Sequence, residues 1–145
     1  MSSRIRLICV ATAATLCVSA PAAVALTTSG DTSQHGTVRV AVTRHDEVTG
    51  LVIQLRTRCT DHKSRAIWPG FQAPFAHPQD AAGTVADSYD IVGRDAVSGV
   101  RFRQRASFKA VVKGTTLTGS ASVTQTLLAS GAVCKSGRVT FRVRL

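Results

Sequence analysis

The sequence predicts an all-β fold, an antiparallel β-sandwich with an up-and-down β-barrel as the alternative closure, and three observations carry that expectation. Apolar and polar side chains alternate with period two over long stretches, most cleanly between Val100 and Leu145. Turn-forming clusters such as His45-Asp46-Glu47, Gly93-Arg94-Asp95 and Lys113-Gly114-Thr115 interrupt the alternation at strand-length intervals. After Ala25 no segment needs a helix to explain its pattern.

The chain begins Met1-Ser2-Ser3-Arg4-Ile5-Arg6, continues into the apolar run Leu7 to Ala20, and then places Ala23 and Ala25 where a signal peptidase requires small residues. Residues 1–25 therefore read as a secretory signal cleaved after Ala25. The apolar run is short for a bilayer and no later segment is continuously apolar, so no membrane span is expected in the mature chain. Residues 26–36 are rich in Thr, Ser and Gly without a hydrophobic period and read as a flexible lead-in; residues 37–145 read as a single β-sandwich domain.

Within that domain the first strand sets Val38, Val40 and Val42 against Arg39, Ala41 and Thr43. The next sets Leu51, Ile53, Leu55 and Cys59 against Val52, Gln54, Arg56 and Arg58. From Thr60 to Gly83 the alternation fails around Pro69, Pro74 and Pro78, where at most short edge strands are expected, near Ala66 to Trp68 and Gln72 to Phe75. Thr84 to Val92 returns to strand, with Val85, Tyr89 and Ile91 on one face. The last third is a long hairpin followed by a closing strand. Its inward parity holds Phe102, Phe108, Leu117, Val123 and Phe141, which with Ile53 and Leu55 form the expected core.

Cys9 and Cys17 leave with the signal, so the mature chain keeps Cys59 and Cys134. An even pair in an exported chain points to a disulfide, since a structural zinc site would want four ligands at short spacing. The formal charge of the whole chain is +10. Without Arg4 and Arg6 there remain 16 basic and 8 acidic residues, a balance of +8, and every acid precedes residue 96. Arg56, Arg58, Arg101, Arg103, Arg105, Lys109, Arg138, Arg142 and Arg144 share outward parity and are candidates for a polyanion-binding face. The bland reading of the same residues is a solvated, Arg-rich surface. No aromatic interleaves them, which argues against single-strand stacking, and sequence-specific nucleic-acid recognition is not expected.

Trp68, Phe71 and Phe75 form an aromatic cluster in the irregular segment: a possible sugar-stacking site, or a plug for the open end of the sandwich. No enzyme is expected and no catalytic residue is assigned. Asp61, His62, His77 and Asp80 could be imagined around a serine, but no nucleophile elbow is present and Glu47 is the only glutamate. The four histidines lack metal-ligand spacing, and Asp87, Asp90 and Asp95 miss the calcium-loop pattern, so neither metal nor cofactor is expected.

Four segments together resemble a group of small secreted actinobacterial β-sandwich proteins of uncharacterised function: Thr32-Ser33-Gln34-His35-Gly36 before the first strand, the single cysteine ending the second, Gly114-Thr115-Thr116-Leu117-Thr118-Gly119, and Cys134-Lys135-Ser136-Gly137-Arg138-Val139-Thr140-Phe141. The resemblance spans most of the mature chain, apart from the segment Trp68 to Pro78. It implies an exported, disulfide-linked sandwich and offers no catalytic residues. The function expected is a secreted, non-enzymatic module whose basic β-face binds an anionic polymer of the cell envelope; the alternatives are a carbohydrate-binding module using the loop aromatics and an interaction partner of another secreted protein.

Overall fold

The computed structural model describes residues 26–145, so the predicted signal, 1–25, lies outside the described residues. Eleven strands follow one another with no helix among them: β1 (Leu26–Thr32), β2 (Thr37–Val42), β3 (Val48–Ile53), β4 (Leu55–Cys59), β5 (Ser64–Ile67), β6 (Gly70–Gln72), β7 (Thr84–Arg94), β8 (Arg101–Lys113), β9 (Thr116–Leu127), β10 (Val133–Lys135) and β11 (Val139–Arg144). Every pairing of strands is antiparallel. The all-β, antiparallel expectation holds, and the strands belong to one sheet curled as a half-barrel.

The hairpin of β8 and β9 is the spine. Its two-residue turn, Gly114-Thr115, puts only Gly114 at positive φ (55°), the demand that a turn opening on glycine meets at no steric cost. β8 follows one edge of β9 throughout, while the other edge forks. β11 pairs with Thr116 to Ala121, and β10 with Thr124 to Thr126. One arm runs β10, β4, β5; the other runs β11, β1, β2, β3, β6. The stretch read as one strand from Leu51 to Cys59 is thus two, changing partners at Gln54 while keeping its parity.

The fork leaves backbone to be satisfied where the arms part, and the Thr32-Ser33-Gln34-His35-Gly36 segment supplies the partners. The Gln34 side chain imitates a strand: its Oε1 accepts from Arg56 N at 2.8 Å while its Nε2 donates to Arg56 O at 3.1 Å and Ser136 O at 3.3 Å. Thr32 Oγ1 accepts from Gly36 N at 2.9 Å, and Ser33 N donates to Thr140 O at 2.8 Å.

The lead-in reading of residues 26–36 is corrected: Leu26–Thr32 is a strand with neighbours on both sides, β11 and β2. Its side chains are mostly exposed, so it is held by two backbone ladders rather than by an apolar stripe. Hydrophobic period had nothing to register there. The short edge strands fall two residues earlier than expected, at β5 and β6, the two ends of the strand order.

The concave side is the core. Ile53, Leu55, Phe108, Leu117, Val123 and Phe141 are buried as parity requires, joined by Val38, Val40, Leu51, Phe71, Phe75, Val85, Val139 and Val143. Ring contacts between opposite ends of the sheet show how far it curls: Phe71 on β6 lies 4.7 Å from Phe108 on β8 and 5.2 Å from Tyr89 on β7, and Phe75 lies 5.5 Å from Phe108. Between β7 and the irregular segment the backbones meet at the His77–Ala86 bridge. Closure thus comes from packed side chains on the inner faces. Gly119 sits under this packing, where a Cβ would stand 2.6 Å from Phe141 Cζ and 2.6 Å from Lys109 O. Two inward expectations fail. Phe102 is only half-buried, and Ile91 is exposed, because the ends of β7 and β8 extend past the core.

Cys59 and Cys134 form the predicted disulfide. They are direct register partners on β4 and β10, with Cα atoms 3.9 Å apart, and both are buried. Cys134 and Val139 both face inward although they stand an odd five positions apart; the kink at Ser136-Gly137, with Gly137 at φ 66°, absorbs the extra residue. Ser136 fastens that kink to β9: its N donates to Val123 O and its Oγ accepts from Val123 N.

Candidate functional site

The outward side chains of β7, β8, β9, β10, β11 and β4 fall into rows set by strand register. The first runs Asp90, Arg105, Thr124, Lys135, Arg58, Ser64 across six strands. The second is Ser88, Ser107, Ser122, with 3.2 Å between the hydroxyls of Ser107 and Ser122. The third is Ala86, Lys109, Ser120, Thr140. Over the serine row lies an open depression of about 420 Å³, bordered by Lys109 and Arg138.

The predicted cations are exposed, but they are not equivalent. Arg103 and Arg105 both bind Asp90, at 2.7 Å and 2.8 Å, so the centre of the predicted basic stripe is already partly neutralised. The hydrogen bonds from Arg103 and then Arg105 hold the Asp90 carboxyl far below the usual carboxylate range, and Asp90 in turn raises Arg103. Sequence order hid this, because Asp90 precedes Arg105 by 15 residues while standing directly opposite it across β7 and β8. Arg142 faces Asp31 across β11 and β1, Arg101 faces Arg94 at the far end of β8, and Arg144 faces Thr116, whose other neighbour is Lys113.

Lys135 is the residue that parity reasoning missed. It lies in a three-residue strand just before the kink, where alternation is too short to read. In the structure it stands directly opposite Arg58, and among the described residues no carboxylate pairs with either. Arg56 projects from the same face two residues away, so β4 and β10 together carry three unneutralised cations. Like charges directly opposite one another in a sheet destabilise it, which makes this pair costly for the fold.

The aromatic cluster does not hold together as a surface. Phe71 and Phe75 are buried in the core, as the plug reading requires, because their rings close the curl against Phe108. Trp68 alone stays out, 50% exposed, at the lip of a groove of about 690 Å³. Ile67, Val100, Phe102 and Leu127 line its walls, and Gln104 and Gln125 also line it. Gln104 is buried, donates to Tyr89 Oη at 2.7 Å and accepts from Gln125 Nε2 at 3.3 Å. Burial lifts the Tyr89 phenol above its ordinary pKa, so it stays protonated. The glutamines were legible as a signal: both interrupt the inward parity of neighbouring strands, at positions directly opposite one another.

The residues once imaginable as a triad have other work. Asp61 accepts from Arg65 and from Lys63 N; Asp80 accepts from Ala82 N and Thr84 N in a turn. Asp87 accepts from Ala76 N and Ser88 N, and Asp95 from Val97 N and Ser98 N. Comparison of the chain with protein-family models, with curated proteins and with solved structures finds no match in any of the three. Among the described residues no helix is long and apolar enough to cross a membrane.

Proposed function

We propose that this chain is an exported, non-enzymatic binding module that docks a linear anionic polymer of the cell envelope on its outer basic face. The observation that carries the reading is the Lys135–Arg58 pair, two like charges held in register with no carboxylate paired to either among the described residues. A sheet keeps so unfavourable a pair at little net cost when a bound anion spans it. Neighbouring strands lie about 4.8 Å apart, so the row from Arg105 through Lys135 to Arg58 offers cations along a line of about 14 Å. A chain of phosphates or uronates meets several of them at once. Lys109 and Arg138 extend the field over the serine depression, whose hydroxyls suit anionic oxygens or polymer hydroxyls. Export belongs to the same proposal: a signal cleaved after Ala25 delivers the chain to an oxidising compartment where Cys59 and Cys134 can join. The resemblance to secreted actinobacterial β-sandwich proteins, read from the sequence, supports the export and carries nothing about the ligand.

The test is co-sedimentation of residues 26–145 with purified cell walls at low and high salt. Retention at low salt that is lost at high salt, and lost at low salt in Arg58→Ser/Lys135→Ser, is expected. Equal retention of the double variant, or retention indifferent to salt, would refute the assignment of this face.

A further inference from the structure

The groove behind Trp68 is separate from the basic face and has a chemistry of its own. We propose that it is a saccharide-binding subsite that takes an uncharged pyranose ring, stacked on the Trp68 indole with its hydroxyls turned to the Gln104–Gln125 amides. Three features select that class. One wall is apolar and aromatic, with Trp68 half-exposed and Phe102 half-buried, which suits the C–H face of a sugar ring. The amides are not fully used: Gln104 and Gln125 share one hydrogen bond, and Gln125 Oε1 has no partner among the described residues. A purely apolar ligand such as an acyl chain would strip water from these amides without replacing its hydrogen bonds. The third feature is the lack of a free cation. Of the two charged residues lining the groove, Arg65 is paired with Asp61 at 2.9 Å, and Asp95 is an anion held by Ser98 N and Ser98 Oγ at 2.6 and 2.8 Å. An anionic ligand would find no unpaired cation among these lining residues. The volume, about 690 Å³, falls in the range of sites that enclose small ligands.

Trp68 is the sole tryptophan, so its fluorescence reports on this site alone. The probes are neutral tetrasaccharides of β-1,4-linked glucose and of β-1,4-linked N-acetylglucosamine, titrated into residues 26–145. A saturable blue shift with at least one of them, unchanged between low and high salt, is expected. By calorimetry Trp68→Ala should weaken that binding about tenfold or more, and Gln125→Ala by a similar factor. Arg58→Ser/Lys135→Ser should bind the sugar as wild type does while losing affinity for soluble polyphosphate, which separates failure of this site from failure of the basic face. No saturable change with either probe overturns the proposal, as does sugar binding that survives Trp68→Ala in a folded variant.

Discussion

Removing the Cys59–Cys134 bridge tests the pairing of β4 with β10. The cysteines lie 75 residues apart, and the chain-entropy cost of closing so long a loop in the unfolded state corresponds to about 4 kcal/mol at room temperature. Cys59 and Cys134 are 8% and 0% exposed, so alanine is the better replacement, since serine would bury a hydroxyl. A domain of this size is stable by about 5–15 kcal/mol, so the loss is a large share of the total, and Tm should fall by about 15 °C. Because both cysteines act through one bond, Cys59→Ala, Cys134→Ala and the double variant should unfold within about 0.5 kcal/mol of one another. Urea melts followed by far-ultraviolet circular dichroism give the comparison. A loss below about 1 kcal/mol, or single losses that add in the double variant, would show that the bridge does not close the loop in solution.

Phe141→Ala should cost about 3–5 kcal/mol in the same melts, because the ring is buried and packs against Gly119; wild-type stability would place β11 one residue out of register. Gln34→Ala should cost about 1–2 kcal/mol by orphaning Arg56 N and O at the fork, and Gln34→Glu at least as much, since a carboxylate cannot donate to Arg56 O or Ser136 O. Asp90 is held ionised below its ordinary range by Arg103 and Arg105, so its contribution to stability is complete above about pH 4 and declines as pH falls through its depressed folded-state pKa. Asp90→Asn should flatten that acid limb in thermal melts taken from pH 6 down to pH 2. The same variant frees Arg103 and Arg105, so it should elute from a heparin column at higher salt than wild type; earlier elution would show that these arginines do not face the polymer.

What could be read from sequence was what period two can express. Val38, Leu51, Ile53, Phe108, Leu117 and Phe141 declared their burial because each sits in a strand with one dry face. β1 was invisible because its stability lies in two backbone ladders, which leave no mark on side-chain polarity. The fork at β9 was equally silent, since pairing partners are not local, and the Gln34 seal reads from sequence as one polar residue among several. Charge suffered the same limit. The excess of cations after residue 100 was plain, yet the one acid that binds two of them arrives from β7 across the sheet, and a like-charge pair joins β4 to β10. Phe71 and Phe75 show the converse: in a segment without alternation, an aromatic meant for the core and one left at the surface look alike, and only the curl of the sheet separates them from Trp68.

The basic face is tested most directly by the salt dependence of binding to a soluble polyphosphate of defined length, measured for wild type and for Arg58→Ser/Lys135→Ser. Wild type should give a straight fall of log affinity with log salt, and the double variant should bind more weakly with a slope shallower by about two, one for each cation removed. A double variant with the wild-type slope and affinity would contradict the account, because the polymer would then be held elsewhere.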